Sequence, residues 1–302
     1  MSEKKNKKIL GAGKFSFELT HGDKVLFPGA GITKHDLINY YDSVSELMLP
    51  FLKDRPVMLH RYTGGIGEKG FYQKDRSDYF PEWIESVKVK KESGGTNDMV
   101  LINNKSTLLY LVNQDMITAH IWLSTKNQPD KPDIMVFDLD PPDGGNFEQV
   151  ITGAKVLKAV VEEEAGLEAF IKLSGSAGLH ITIPVKADKK FEEVRNLAKE
   201  IAEFTTDKNA DLFTTTLAKK GRNGKLFIDY LRNSYAQTIA APYAVRPLKN
   251  GPVAAPLHWE EVNNELSARK YTLENILQRV SHTEDPWKNF RQHARKIPSS
   301  MK

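Results

Sequence analysis

Two aspartates one residue apart, Asp138 and Asp140 in the segment FDLDPP, are the strongest chemical signal in this chain. In an extended strand, residues i and i+2 project to the same face. Phe137 and Leu139 then point into a core, and both carboxylates point out together. Carboxylates that close repel each other, and a divalent cation that prefers hard oxygen ligands relieves the repulsion. Pro141 and Pro142 stop the strand here, so the pair stands at a strand end, where sites commonly form. A solvated acidic pair at a turn is the plainer alternative.

Three metal-dependent chemistries use such a pair. A calcium loop needs a ligand at its fifth position and Gly at its sixth, and Pro142 and Asp143 stand there instead. A phosphatase of the haloacid-dehalogenase type has an Asp-x-Asp strand end, usually with Thr or Val two residues later, where this chain has Pro142. Two-metal nucleotidyl transfer needs a third carboxylate from another strand. Asp229 in KLFIDYL is the candidate, a lone acid in an apolar strand. Buried without a partner it would be costly. A salt bridge to Arg232 or Lys225 is the structural alternative.

Other segments suit anions. In SGSAGLH (174–180), Ser174, Gly175 and Gly178 fit a tight turn with backbone N–H groups facing an anion, and Ser174 and His180 can donate to phosphate. A Gly-rich hairpin with a core histidine explains the same residues. Lys219, Lys220, Arg222, Lys225, Arg232, Arg246 and Lys249 surround Asp229, with no other acid between 219 and 250. Such a field suits polyphosphate or a nucleic-acid backbone, although a solvated basic surface would read the same. Arg61 and Lys74 lie near Phe71 and Tyr72, and aromatics beside cations can stack on bases or simply fill a core.

The elements that must carry these groups follow from periodicity and breakers. KVLF (24–27) reads as a short strand. Thr33 and Asp36 approximate a capping box for a helix with Leu37, Tyr40, Tyr41, Val44, Leu47 and Met48 on one face. Strands are expected at 56–62, 70–74, 86–91 and 99–102, and a helix at 106–118. Residues 133–140 form a buried strand, and Asn146 or Asp143 caps a helix over 147–164 that ends at Gly166. A strand pair spans 170–185, a helix 190–206, and strands 225–231 and 237–243. The remainder reads as helical. Adjacent strands without intervening helices favour α+β over a doubly wound sheet. The expected organisation is a flexible basic tail (1–13) and one module over 14–302. That module divides into an N-terminal part (about 14–130), a catalytic core (about 131–250) and a C-terminal helical part (about 255–296).

Composition narrows the options. The chain has 302 residues, 43 Lys+Arg against 39 Asp+Glu, and no cysteine. Disulfides, cysteine-bound zinc, iron–sulfur clusters and thiol catalysis are excluded. With no apolar run of about 18 residues and no signal core, a cytoplasmic protein is expected.

FDLDPP, SGSAGLH and FIDYLRN–APYAVRP, preceded by DKVLFP–GITKHDLINYY, RPVMLHRY and GFYQK, stand in the order of one family. From about residue 17 to about 290 the chain closely resembles the polymerase domain of the non-homologous end-joining ligase D family, a branch of the archaeo-eukaryotic primase superfamily. The resemblance implies a primase-type α+β fold with mixed or antiparallel catalytic sheets flanked by helices. It implies template-directed nucleotidyl transfer at gaps and double-strand breaks, with ribonucleotides favoured over deoxyribonucleotides. By the same resemblance, Asp138, Asp140 and Asp229 hold two divalent ions, Mn²⁺ or Mg²⁺. Ser174, His180, His120, Arg246, Arg222 and Arg61 contact the nucleotide. Lys24 and Lys34 bind the 5′-phosphate of the downstream DNA strand, and Phe71 and Tyr72 stack at the template base.

The expected partners are DNA ends, nucleoside triphosphates, Ku and a separate ligase, with a nucleoid setting and no membrane. Two positions depart from the family. His60-Arg61 replaces a frequent Lys-Arg, and Ala177 replaces a common Lys. No K-x-D-G ligase motif is found, so a stand-alone polymerase or an excised domain, unable itself to seal a nick, is expected. A non-catalytic end-binding module, a de novo primase and the phosphatase are the other readings.

Overall fold

The computed structural model describes residues 8–11 and 13–301. Two six-stranded sheets dominate it. In the first, the strands run in the order Phe213–Thr214, Leu226–Asp229, Ile134–Asp140, Leu179–Pro184, Phe170–Leu173, Pro256–Leu257. All neighbours are antiparallel except the first pair, which is parallel. In the second, the order is Thr238–Ala240, Met116–Trp122, Pro56–Arg61, Thr96–Leu101, Ser86–Lys90. Phe71–Gln73 takes over the edge of Pro56–Arg61 beyond the point where Thr96–Leu101 leaves it. One hydrophobic cluster contains residues of both sheets and of the helices Lys34–Leu52, Lys105–Asn113, Phe147–Glu163 and Phe191–Lys208. This is the α+β arrangement expected from the sequence.

Local chemistry explains the element ends. Thr33 Oγ1 accepts from Asp36 N at 3.2 Å, and Asp36 Oδ2 accepts from Thr33 N at 2.8 Å, so the capping box is complete. Asn146 caps the helix Phe147–Glu163, and Gly166 follows it at φ +64.

Two expectations fail. The helix expected at 106–118 ends at Asn113, and Met116–Trp122 is a fully buried strand. Asp115, at φ +64, turns the chain at the end of a polar Asn113-Gln114-Asp115 stretch between two apolar runs, with no Gly or Pro to mark the break. The stretch after residue 255 is mostly irregular. Among the described residues it holds one seven-residue α-helix, Ile276–His282, two short 3₁₀ turns and a two-residue strand. Of the expected flexible tail, residues 1–7 and 12 lie outside the described residues, while Ile9–Leu10 pairs with Phe17–Glu18. No helix among the described residues is long and apolar enough to cross a membrane.

Candidate active site

The register of the first sheet assembles the site. Asp138 lies opposite Asp229 on one neighbouring strand and opposite His180 on the other. His180 in turn lies opposite Lys172. Facing residues share one side of a sheet, so Asp229, Asp138, His180 and Lys172 form a polar rung across four strands, with Asp140 two residues along from Asp138. The opposite face of the central strand is apolar, with Phe137 and Leu139 fully buried. Alternation along FDLD therefore separates core from chemistry, as the spacing predicts.

Asp138 and His180 of the rung, with Asp140, line a cavity of about 450 Å³. Its far wall comes from the second sheet, through Met58, His120, Thr238 and Ala240. The SGSAGLH loop closes one side. Ser174 Oγ accepts from both Ser176 N and Gly178 N at 3.2 Å. Those two N–H groups hold the turn together, which corrects the expectation that they face an anion. Gly178 is required for close approach, because a Cβ there would lie 1.9 Å from Leu139 O. Gly175, at φ +68, leaves room for Arg246, whose Cγ a Cβ would meet at 2.7 Å. Arg246 also lines the cavity, and its Nη1 donates to Ser174 O at 3.4 Å.

Electrostatics follow from burial. Desolvation, reinforced by the Asp140 and Asp229 charges and opposed by Arg232, holds the Asp138 carboxyl well above the usual carboxylate range. Asp140 is raised by burial and by Asp229. Arg232 is the cation the carboxylates share, with Nε 3.2 Å from Asp229 Oδ2 and 3.7 Å from Asp138 Oδ2. The ion-pair alternative for Asp229 is thus present, with the same arginine also serving Asp138. Among the described residues no three Asp, Glu or His side chains form a ready-made coordination shell. The donor set nevertheless suits hard divalent cations, since it gathers carboxylate oxygens from two neighbouring strands whose mutual repulsion a cation would relieve.

Burial, followed by the charges of Lys172, Arg246 and Arg232, pushes His180 well below the usual histidine range, so its Nε2, 3.4 Å from Asp138 Oδ1, belongs to a neutral ring. His120 is lowered by burial, then by Arg246. His60 is lowered to about 4 by burial, then by Arg246. Five buried polar atoms here lack hydrogen-bond partners: His60 Nδ1, His120 Nε2, His180 Nδ1, Lys172 Nζ and Arg246 Nε. Such atoms are uncommon in native proteins, and their gathering in one place marks a site shaped for a ligand.

The other expected residues divide. Tyr72 lines the cavity and stacks on His60, with ring centroids 4.0 Å apart. Phe71, next along the strand, faces the other way, 5.5 Å from the Arg61 guanidinium. Arg61 stands outside the cavity and donates to Gln114 O, Gln73 Oε1 and Tyr79 OH. The structure therefore does not bring Arg61 and Phe71 together with the rung. Arg222 stacks over Phe227 at 3.8 Å beside the adjoining cleft that contains Asp229. Lys24 and Lys34 stand apart from the cavity and both pair with Asp115. Lys172 was not singled out from the sequence, although a lone cation inside the apolar FIKL strand is the same kind of signal as Asp229.

Residues 33–287 match the family described as LigD, primase-polymerase domain. The chain belongs to the LigD primase-polymerase domain family. It is 34% identical to the bifunctional non-homologous end joining protein LigD of Bacillus subtilis (strain 168) over 94% of its own length and 45% of that protein. Against the multifunctional LigD of Mycolicibacterium smegmatis it is 31% identical over 88% of its length and 35% of the relative. The chain thus spans less than half the length of these curated relatives. The solved polymerase domain from Mycobacterium tuberculosis ligase D in complex with DNA superposes with a TM-score of 0.86 at 30% identity, covering 91% of this chain and 98% of that one. This LigD domain family is one of nucleotidyltransferases, which sets the phosphatase alternative aside.

Proposed function

We propose that the chain extends primer 3′-hydroxyl ends at gapped or broken DNA by template-directed nucleotidyl transfer in end joining, accepting ribonucleotides at least as well as deoxyribonucleotides. The rung Asp229–Asp138–His180–Lys172, with Asp140 beside it and a polar cavity in front, carries this reading. Asp138, Asp140 and Asp229 would hold two divalent ions, Mn²⁺ or Mg²⁺. When bound, these supply charge neutralisation and Lewis-acid activation at the reacting oxygens.

The protein's own groups complete the site. Arg246 and Lys74 present positive charge from the cavity wall to the triphosphate. Neutral His180 and His120 offer ring N–H donors to phosphate or sugar oxygens. Tyr72, fixed by its stack on His60, presents its free face to a base. Ala177 lines the cavity where the family commonly has Lys, so the phosphates rely on Arg246 and Lys74. In the reaction the primer 3′-oxygen bonds to the α-phosphorus as the bond to pyrophosphate breaks. Lys24 and Lys34 would receive the downstream 5′-phosphate, and Ku and a ligase would act on the same ends.

A gapped duplex with a 5′-phosphate, Mn²⁺ and labelled ribonucleotides tests the reading. Wild-type protein extends the primer, and Asp138→Ala reduces extension by roughly 10³-fold or more. Equal extension by the variant would remove the rung from the mechanism.

A further inference from the structure

Lys24 and Lys34 already hold an anion between them. Lys34 is almost fully buried, and its Nζ lies 2.8 Å from Asp115 Oδ1 and 2.8 Å from Asn113 O. Lys24 Nζ lies 3.1 Å from Asp115 Oδ2 and also donates to Thr63 O. One carboxylate thus bridges both ammonium groups, one oxygen to each. A phosphomonoester bound by the same pair would need those donors and that space.

The carboxylate is not needed to build the turn that carries it. Backbone bonds close that turn: Gln114 N donates to Tyr110 O at 3.0 Å and Asp115 N to Val112 O at 2.9 Å. Asp115 O accepts from Tyr62 N at 3.0 Å. At φ +64, just past a helix end, Gly or Asn would be at least as comfortable. An aspartate here carries a backbone cost that its charge offsets only through the lysines.

We propose that Asp115 stands in for the DNA 5′-phosphate between Lys24 and Lys34 and sets how strongly the chain discriminates 5′-phosphorylated from 5′-hydroxyl ends. This rests on the reading of that lysine pair as the 5′-phosphate pocket. With no end bound, the carboxylate keeps the buried Lys34 charge paired. When an end arrives, the phosphate must displace the carboxylate from at least one lysine and tolerate its charge. The pocket thereby trades affinity for a preformed geometry.

The test is fluorescence anisotropy with a labelled gapped duplex bearing either a 5′-phosphate or a 5′-hydroxyl at the gap, at one fixed low ionic strength. The readout is the ratio of the two affinities. Asp115→Asn keeps the side-chain shape and suits the backbone. It should raise the ratio on the order of three- to tenfold by removing one like charge from the phosphate site. Asp115→Gly, which the positive φ also accommodates, should move it in the same direction. Lys24→Ala should collapse the ratio toward unity. If Lys24→Ala collapses the ratio while both Asp115 variants leave it unchanged or lower it, the pocket stands and the role of Asp115 is wrong. If Lys24→Ala leaves the wild-type ratio intact, the pocket reading itself fails, and this inference with it.

Discussion

Lys34 and Lys172 are both buried ammonium groups, and the structure treats them in opposite ways. Lys34 is held by Asp115 and by Asn113 O. Lys172 is fully buried, yet its Nζ has no hydrogen-bond partner. Burial, then the charge of Arg246, pushes Lys172 down to about 7, and Asp138 only partly opposes them. Lys34 therefore has its charge paired within the chain and Lys172 does not, although Asp115 Oδ1 makes no hydrogen bond beyond that ion pair. Unpaired polar groups cost stability and persist where function uses them. Under the proposed function, the inner rung is completed by what binds it, whereas Lys34 and Asp115 are paired at rest.

The same substitution at both lysines breaks or sharpens that contrast, and it carries the largest expected effects. Lys172→Met removes an unpaired buried charge and should raise the melting temperature by a few degrees near pH 7. It should also lower primer extension on the order of 10–100-fold, because the Lys172 charge, opposite His180 on the neighbouring strand, helps hold that ring neutral. Lys34→Met should lower the melting temperature, because it strands Asp115 and Asn113 O. Thermal unfolding of the two variants side by side checks the signs, and a shift in the same direction for both would erase the contrast.

The pH dependence gives a second check on Lys172. Its folded pKa, about 7, lies below the ordinary value of 10.5. Between those values the unfolded chain holds more protons, so this group's contribution to stability improves as pH rises. The advantage of Lys172→Met over wild type should be greatest at or below pH 7 and shrink toward pH 10. An advantage that is constant with pH would mean the charge is not its source.

The smallest expected effect separates the aromatic pair. Alternation puts Tyr72 on the cavity and Phe71 against Arg61. Tyr72→Ala should raise the KM for the incoming nucleotide several-fold, and Phe71→Ala should affect it less. Steady-state kinetics on a gapped duplex reads the difference, and equal effects would place both rings at the same base.

Much of the inner site was legible because strand alternation is strict. Asp138 and Asp140 share a face by spacing, and Asp229 stood out as a lone acid among apolar residues. The sequence could not show that Asp229, Asp138 and His180 share one rung, because register depends on pairing between distant strands. The Met116–Trp122 strand was hidden for a local reason. Only three polar residues, Asn113 to Asp115, separate the apolar helix from the apolar strand, and the break falls at an aspartate in a conformation glycine usually takes. The Lys34–Asp115 pair was invisible because its members lie far apart in the chain and meet only in the fold. The irregular C-terminal stretch had enough apolar spacing to suggest helices, but its contacts are made by short turns such as Trp259–Glu261.

Under the proposed function, Asp138, Asp140 and Asp229 hold divalent cations. Electron paramagnetic resonance of free Mn²⁺ during titration with the protein tests it without relying on turnover. Wild-type protein with a nonhydrolysable nucleotide should deplete the free signal, and Asp138→Ala and Asp229→Ala should each deplete it far less. Equal depletion by wild type and both variants would contradict the account.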